Sequence, residues 1–338
     1  MMTHANHRNQ IPELLSAIQK ADSILLFSHI SPDGDTIGSA LALKMLLTRL
    51  QKQVLLVLDG SVPDNLFFLP GIHAFCKPED AAAQVNARGG NTLAIAVDVS
   101  CMDRMGAAEA LFQRATQTAQ IDHHGTNPAY AQINVIDGSA PATAILIDRV
   151  RDAMGISIRQ EEAICLYTAL STDTGNFIYE ATNAEAFLLM GRLMEAGLPL
   201  AKYARLLFRR KERGFLAMLD KALATLTFFC GGGVAGMGLS RQAMDEAGVT
   251  GEDTEGIVNY AIDAAGVKLA YFAHENDAGM IKFSLRALSP CRVDRVATAF
   301  GGGGHSLAAG CTLSGPLEQA AERVQKALKA EWEEHFHS

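Results

Sequence analysis

Three consecutive side chains, Asp122, His123 and His124, suggest chemistry more directly than any other short pattern in this 338-residue sequence. They follow a short apolar segment, residues 118–121, that is typical of a strand. A carboxylate beside two imidazoles has the composition of a metal-ligand set, or of a metal ligand with a hydrogen-bonded partner behind it. Because the chain has 10 histidines, two can also be adjacent by chance. The pattern therefore needs support from other segments.

A second acidic segment carries His29, Asp33 and Asp35 between a predicted strand, residues 23–28, and a predicted helix, residues 36–50. An aspartate before a helix is commonly a cap, which explains one of the two carboxylates. It does not explain two aspartates on either side of a glycine after a histidine at a strand end. The glycine permits a tight turn that aims both carboxylates the same way. The segment therefore favours a metal site.

Two single aspartates, Asp98 and Asp173, lie in comparable positions. Asp98 ends an apolar strand, residues 93–97, where it is either a simple strand exit or a ligand. Asp173 follows a predicted helix, residues 160–170, in a stretch rich in hydroxyl side chains, where a capping turn is an equal alternative. Neither residue is decisive alone, but each adds a carboxylate to the same set.

The whole set supplies four carboxylates and two imidazoles: His29, Asp33, Asp35, Asp98, His123 and Asp173. Clustered without a cation, these carboxylates would repel one another and their pKa values would rise. Two divalent ions would balance the four negative charges, so that a phosphate need not enter a negative pocket. Mixed oxygen and imidazole ligands suit Mn²⁺, with Mg²⁺ or Co²⁺ as alternatives, and the residue types exclude a thiolate zinc site.

A glycine run near the C-terminus, residues 301–305, reads Gly-Gly-Gly-Gly-His. Backbone N–H groups in such a run can surround an anion, and the histidine adds a donor. The alternative is a flexible loop. Arg286, in a predicted strand just upstream, is a candidate for a bidentate phosphate contact. The candidate substrate-binding residues are Arg286, Gly302, Gly303, Gly304 and His305.

The elements that must position these residues follow an α/β pattern. Alternating strand and helix patterns in the first half predict a mostly parallel sheet with helices on both faces. Ligands collect at the carboxyl ends of such strands, where His29, Asp98 and Asp122 are predicted to converge. A helical region follows, and then a smaller α/β segment with a mixed sheet. We predict a first domain over 1–195, a helical linker over 196–214 and a second domain over 215–338.

Composition excludes several classes of protein. A net charge of −8 argues against a protein that coats long nucleic acid, including long duplexes. The longest apolar runs are too short to span a bilayer, and the six cysteines show no paired spacing, so we expect a cytoplasmic protein with no membrane partner.

These segments together resemble the DHH phosphoesterase superfamily, and the second half resembles its associated DHHA1 domain. Residues 255–260 (Glu-Gly-Ile-Val-Asn-Tyr) are similar to the subgroup of stand-alone oligoribonucleases that also act on 3′-phosphoadenosine 5′-phosphate. The resemblance implies a parallel-sheet DHH domain and a smaller mixed-sheet DHHA1 domain joined by the helical linker. It is carried by residues 29–35 (His-x-x-x-Asp-x-Asp), Asp98, residues 122–124, Asp173 and residues 301–305.

The resemblance also implies roles for the ligands. His29 and Asp33 would bind one ion, the set Asp35, His123 and Asp173 would bind the other, and Asp98 would bridge both.

The remaining implied roles concern catalysis and substrate. Asp98, Asp122 and His124 form the implied catalytic group: Asp122 would orient the two imidazoles, and His124 would face the scissile phosphate. Arg286 and the glycine run would hold the substrate from the second domain.

The implied activity is metal-dependent hydrolysis of short oligoribonucleotides, about two to five nucleotides long, to mononucleotides by two-metal hydroxide attack in a cleft between the domains. Conversion of 3′-phosphoadenosine 5′-phosphate to AMP is a further expected activity. One alternative is a phosphodiesterase for cyclic dinucleotides or their linear products. Another is a catalytically silent nucleotide-binding protein, although such proteins usually lack a ligand and none is missing here. The oligomeric state stays open, with a homodimer among the options.

Overall fold

The chain folds into two compact units, Met1–Arg210 and Lys211–Ser338. The computed structural model describes residues 7–211, 213–248, 254, 256–276 and 278–336. The division between the units lies inside the segment 196–214 that the sequence predicts as a linker, and the helical turns before it belong to the first unit. Glu255 lies outside the described residues; it is the first residue of the segment 255–260 and part of the helix that the sequence predicts over residues 254–265.

A seven-stranded sheet forms the centre of the first unit, with the strand order β1-β7-β6-β5-β2-β3-β4. All neighbours from β7 to β4 are parallel, and only the short β1 pairs antiparallel, with β7. The strands are β1 (His7–Asn9), β2 (Ser23–Phe27), β3 (Gln53–Val57), β4 (Phe75–Cys76), β5 (Thr92–Val97), β6 (Gln117–Asp122) and β7 (Ile133–Asp137). The predicted α/β class with a mostly parallel sheet is thus confirmed.

Helices cover both faces of this sheet, and alternating strand residues define the two faces. Ile24 and Leu26 of β2 belong to the large hydrophobic core on one face, whereas Leu25 and Phe27 belong to the smaller core on the other. The helices are α1 (Ile11–Lys20), α2 (Gly34–Arg49), α3 (Pro78–Arg88), α4 (Glu109–Gln113), α5 (Thr143–Ala153), α6 (Gln160–Asp173), α7 (Ala184–Glu195) and α8 (Leu200–Ala204). A π-helical turn, Arg205–Arg209, follows α8.

Parallel pairing in register brings the strand ends to one edge. Phe27 lies opposite Ala96, and Val97 lies opposite Ile121, so β2, β5 and β6 end side by side. The loops after these three strands therefore start from neighbouring points, which is the geometry that a shared site requires.

The second unit is built on a six-stranded mixed sheet with the order β12-β13-β11-β10-β9-β8, in which only β9 and β10 are parallel. Its strands are β8 (Thr227–Phe229), β9 (Val234–Leu239), β10 (Leu269–Glu275), β11 (Ile281–Ala287), β12 (Gly303–His305) and β13 (Ala308–Leu313). Its helices are α9 (Arg213–Ala224), α10 (Arg241–Ala247), α11 (Ile257–Ile262), α12 (Asp294–Ala299) and α13 (Leu317–His335). The predicted smaller mixed-sheet unit is confirmed.

The two faces of this second sheet carry separate hydrophobic cores. One packs under α12 and α13, and the other packs under α9, α10 and α11. Within the part of the chain that the structure describes, no helix has the length and apolar character needed to cross a bilayer.

Candidate metal centre

All six predicted metal ligands of the first unit lie at the carboxyl edge of its sheet or at the helix ends beside it. His29 follows β2, Asp98 follows β5 and His123 follows β6. Asp33 is the N-cap of α2, Asp35 lies in the first turn of α2, and Asp173 is the last residue of α6.

Asp33 serves as a helix cap and also lies beside a histidine. Its carboxylate accepts hydrogen bonds from the backbone N–H groups of Asp35, at 3.0 Å, and Thr36, at 3.1 Å. Its other oxygen is 3.6 Å from Nε2 of His29. Burial would raise the pKa of Asp33, but the His29 imidazole and these two N–H donors hold it below its usual value. The capping explanation and the ligand explanation are thus compatible.

Asp35 is fully buried and is held by groups that the sequence gives no reason to connect with it. Its carboxylate accepts from the backbone N–H groups of Thr143, at 2.6 Å, and Ala144, at 3.2 Å, and from the Ser39 hydroxyl, at 2.9 Å. The donors from the start of α5 fix its direction. Burial, and then the neighbouring charges of Asp98 and Asp173, raise its pKa well above its usual value.

Asp98 is the most central carboxylate. One of its oxygens lies 3.7 Å from Nε2 of His123 and accepts from the Thr143 hydroxyl at 2.9 Å, and the other lies 3.9 Å from Nε2 of His29. Its backbone has a positive φ of 59°, an unusual conformation that turns the side chain out of the strand direction. Burial, and next the charge of Asp33, raise its pKa to about 7.

The imidazole of His123 is oriented with one nitrogen toward the carboxylates. Nδ1 lies 3.2 Å from the backbone oxygen of Ala140, to which it can donate. Nε2 lies 3.0 Å from Asp173 and 3.8 Å from Asp35. Burial would lower the pKa of His123, but its hydrogen bond with Asp173 and the surrounding carboxylates raise it to about 11. A cation among these carboxylates would take over the role of that imidazolium.

Asp122 and His124 form a separate pair. The buried Asp122 carboxylate accepts from Nδ1 of His124 at 2.7 Å and also from the side-chain amide of Asn127. The expectation that Asp122 orients both imidazoles differs from this geometry, because the backbone oxygen of Ala140 faces the other imidazole, that of His123. The bond with Asp122 outweighs burial and raises the pKa of His124, whose side chain is 38% exposed and open to a ligand.

The donor set fits two divalent ions. One group of ligand atoms comes from His29, Asp33 and Asp98, and a second comes from Asp35, His123 and Asp173; within each group the atoms lie within 4.8 Å of one another. Burial, and then the like charges of neighbouring carboxylates, raise the pKa values of Asp35 and Asp98, and a divalent cation would relieve both effects. With Nδ1–H of His123 directed at a backbone oxygen, Nε2 is the nitrogen that would coordinate an ion after losing its proton.

The predicted substrate-binding residues lie together on the second sheet. Arg286 of β11 and His305 of β12 are both paired with Ala308 of β13, so their side chains share one face across a small residue. The glycine run differs from the predicted anion-binding run, because its second half, Gly303–His305, is an edge strand. The backbone N–H of Gly302 donates to the oxygen of Ala297 and is therefore not free for an anion.

Sequence reasoning missed the residues that contact the ligands and the carboxylate behind His124. They are Arg104, Asn127, the Ala140 carbonyl and Thr143, with Arg104 lying 3.2 Å from Nδ1 of His29. Only Asn127, five residues after Asp122, was within reach of a local pattern. The contact between Thr143 and Asp35 spans 108 residues, and a single sequence carries no signal for it.

Known proteins match this chain along most of its length. The DHH family, N-terminal domain, matches residues 23–170, and the DHHA1 domain matches residues 232–334. The bifunctional oligoribonuclease and PAP phosphatase NrnA of Thermus thermophilus is 32% identical over 324 residues, which cover 95% of this chain and 93% of that protein. The protein of the same name from Bacillus subtilis is 22% identical over 327 residues, covering 96% and 99%.

A solved structure agrees with the sequence matches. An exopolyphosphatase-related protein from Bacteroides fragilis superposes with a TM-score of 0.87 at 26% identity, covering 95% of this chain and 96% of that one. The fold and the carboxylate–imidazole site define a hydrolase of phosphoester bonds. More closely, the chain belongs to the DHH family and carries the DHHA1 domain after its DHH domain.

Proposed function

We propose that this protein hydrolyses short oligoribonucleotides to mononucleotides, and 3′-phosphoadenosine 5′-phosphate to AMP, with two Mn²⁺ ions as cofactors. The carrying observation is the pair of ligand groups at the carboxyl edge of the first sheet, in which Asp98 of one group lies 3.7 Å from His123 of the other. Support for the substrate class comes from the two NrnA relatives, whose names state both activities.

The proposed ion-binding residues divide as the distances suggest. His29 and Asp33 would hold one ion, Asp35, His123 and Asp173 the other, and Asp98 would face both. When bound, such a pair of ions supplies positive charge for the phosphoryl oxygens and lowers the pKa of an attacking water. Oxygen and imidazole donors favour Mn²⁺, while Mg²⁺ and Co²⁺ remain alternatives for the same ligands.

His124 is the proposed acid of the site. Its Nδ1 donates to Asp122, which leaves Nε2 without a hydrogen-bond partner among the described residues. Because Asp122 keeps the imidazole protonated to a higher pH, Nε2–H can donate to a phosphoryl oxygen or to the leaving oxygen as charge develops there. The side-chain amide of Asn127 donates to the other carboxylate oxygen of Asp122. This bond fixes Asp122 and thereby the orientation of the His124 imidazole.

In the second unit, Arg286 and His305 are the proposed substrate-holding side chains. They lie in one cross-strand row, separated by the side chain of Ala308, which is too small to fill the space between them. A guanidinium and an imidazole in such a row offer several N–H donors to phosphate or ribose oxygens. Replacing Arg286 by Gln should raise KM while the metal content stays the same.

The test is a product time course in Mn²⁺ with 5′-labelled ribodinucleotides, longer RNA, 3′-phosphoadenosine 5′-phosphate, pyrophosphate and a cyclic dinucleotide. We expect the ribodinucleotide to be cleaved fastest, with 3′-phosphoadenosine 5′-phosphate also converted. Two variants accompany the wild type. Asp98→Asn should lose metal and activity together, and His124→Ala should keep two ions while turnover falls about 100-fold.

Three outcomes would contradict the proposal in different ways. If pyrophosphate or long RNA is cleaved fastest, the proposed substrate class is wrong. If the cyclic dinucleotide is cleaved fastest, the phosphodiesterase alternative is favoured. Nucleotide binding with no hydrolysis of any substrate in Mn²⁺ would indicate a catalytically silent binding protein.

A further inference from the structure

Arg104 lies beside the metal centre and has no role in the function proposed so far. It belongs to the 3₁₀-helical segment Met102–Ala108, shortly after Asp98. Its backbone oxygen accepts from the N–H of Ile30 at 2.8 Å, which ties it to the residue next to His29. Its guanidinium lies 3.2 Å from Nδ1 of His29.

The guanidinium of Arg104 differs from those of the half-buried arginines elsewhere in the unit. Arg49 pairs with Glu162 at 2.8 Å, and Arg149 pairs with carboxylates at 2.6 and 2.7 Å. Within the described parts of the chain, Arg104 has no carboxylate at ion-pair distance, and the His29 nitrogen is its side-chain partner. A partly buried cation with a neutral partner keeps most of its capacity to bind an anion.

The contact between Arg104 and His29 conflicts with metal binding by that histidine. A guanidinium has only N–H donors, so Nδ1 of His29 must accept through its lone pair. Nε2 is the nitrogen that faces Asp33, at 3.6 Å, and Asp98, at 3.9 Å. A neutral imidazole has one lone pair, so it cannot accept from Arg104 at Nδ1 and coordinate an ion through Nε2 at the same time.

We propose that Arg104 is a phosphate-binding residue that exchanges partners when the ion binds. On coordination through Nε2, the proton of His29 moves to Nδ1, and Nδ1–H then repels the guanidinium. Arg104 leaves the imidazole and directs its N–H groups to an oxygen of the substrate phosphate, monoester or diester. The exchange rests on the proposed function, because it requires His29 as a metal ligand and a phosphate substrate.

The exchange links metal loading to substrate binding. Without the ion, the guanidinium stays on His29 and the protein offers less positive charge to a phosphate. With the ion bound, both the ion and the released guanidinium of Arg104 are available to a phosphate beside His29. The fork of a guanidinium suits two phosphate oxygens, which a lysine cannot match as a point charge.

The first experiment observes the tautomer of His29 directly by NMR of ¹⁵N-histidine-labelled full-length protein, with the resonance assigned through His29→Gln. At a pH at which the free imidazole is neutral, we expect Nδ1 without a proton in EDTA and with a proton after addition of diamagnetic Mg²⁺. A protonated Nδ1 in EDTA would overturn the proposal, as would the absence of any change on saturation with Mg²⁺.

The second experiment compares Arg104→Gln with Arg114→Gln. Arg114 is an exposed arginine at the end of α4, before the start of β6 and thus at the opposite edge of the sheet, so it controls for the loss of one positive charge. Mn²⁺ affinity is measured by calorimetry, and affinity for AMP in saturating Mn²⁺ by equilibrium dialysis, with adenosine as the ligand that lacks phosphate.

We expect Arg104→Gln to bind Mn²⁺ at least as tightly as the wild type and AMP about 10- to 100-fold more weakly, with adenosine binding unchanged. Arg104→Lys should recover part of the loss, and Arg114→Gln should behave as the wild type. Weaker Mn²⁺ binding with normal AMP binding would overturn the proposal and make Arg104 a support for His29.

Failure of this inference is distinguishable from failure of the proposed function. Normal AMP affinity and normal hydrolysis by Arg104→Gln would show that Arg104 does not bind the phosphate. The proposed oligonucleotide activity would be unaffected by that result. If the wild type hydrolyses none of the offered substrates, the proposed function fails, and the tautomer and AMP measurements still decide the exchange.

Discussion

The contribution of Asp98 to folding stability depends on whether metal ions are bound. Its backbone has a φ of 59°, its side chain is 2% exposed, and three imidazoles and a hydroxyl lie around it. A buried carboxylate in such a place opposes folding of the metal-free protein when it is charged. The bound ions reverse the sign of that contribution, because they place positive charge where the carboxylates converge.

Asp98→Asn should therefore stabilise the metal-free protein at neutral pH. The pKa of Asp98 is about 7 in the folded chain against 3.8 as the usual value, so the unfolded state binds fewer protons between these values and stability falls as pH rises through this window. Asparagine tolerates a positive φ and removes the charge. We expect the free energy of unfolding in EDTA to favour the variant by about 4 kcal/mol more near pH 8 than near pH 4.

Urea unfolding of both proteins at the two pH values measures this difference. The same comparison in Mn²⁺ should reverse its sign, because only the wild type binds the ions in full. A difference that is equal at both pH values in EDTA would mean that Asp98 is already ionised in the metal-free fold.

Asp122→Asn should move the alkaline limit of activity. Asp122 raises the pKa of His124, so the imidazolium persists to a higher pH than it would alone. Without the carboxylate the pKa falls, and if the protonated form is the acid, kcat should begin to decline at a lower pH than in the wild type. The profile of kcat against pH checks this. An unchanged alkaline limit, with lower activity at every pH, would assign Asp122 a purely geometric role.

At the scale of elements, helices α2 and α6 pack closely against each other, and each carries metal ligands at one of its ends. α2 carries Asp33 and Asp35 at its start, and α6 carries Asp173 at its end. The helices can approach because α2 has a glycine, Gly38, facing the middle of α6. A Cβ at Gly38 would overlap the backbone oxygen of Cys165 and lie 3.0 Å from Cβ of Ala169.

Gly38→Ala should destabilise the fold although alanine is the better helix former. Alanine gains about 1 kcal/mol from helix propensity, but the overlap with a backbone atom forces the helices apart at a cost of about 1–3 kcal/mol or more. We expect a net loss of stability together with weaker Mn²⁺ binding, measured by urea unfolding and calorimetry.

The matched control is Gly191→Ala in α7, where a Cβ would meet nothing within 4 Å. It should stabilise the protein by about 0.5–1 kcal/mol and leave metal binding unchanged. Equal effects of the two substitutions would show that α2 and α6 have room to adjust.

The elements that the sequence predicted well are those with a continuous apolar signal. The strands Ser23–Phe27 and Thr92–Val97 fall within one residue of the predicted segments 23–28 and 93–97, since every residue in them is buried. Strand Gly303–His305 was missed because glycine is disfavoured in strands, and Ile133–Asp137 because two of its five residues, Asn134 and Asp137, are of types depleted in strands. The ligand types were readable because they follow strands or lie at helix ends. The backbone N–H groups of Thr143 and Ala144 that hold Asp35, over a hundred residues away, were not.

At the scale of the whole molecule, the charge and the division into units constrain how it works. The net charge of −8 repels phosphates in general, so binding of a short anionic substrate depends on local cations. All the proposed metal ligands belong to the unit Met1–Arg210, whereas the single tryptophan, Trp332, belongs to α13 of the other unit. Ion binding should therefore stabilise the first unit directly, while the fluorescence of Trp332 follows the unfolding of the second unit.

Mg²⁺ should raise the unfolding temperature of the first unit more than that of the second. A ligand stabilises the part of the chain to which it binds, by an amount set by its concentration relative to Kd. Trp332 stacks on Phe336 with ring centroids 4.3 Å apart, so its fluorescence follows the second unit, whereas far-ultraviolet circular dichroism follows both. We expect the dichroism transition to shift upward with Mg²⁺ while the fluorescence transition stays in place. Asp98→Asn should abolish the shift. Equal shifts by both probes would show that the two units unfold as one cooperative structure.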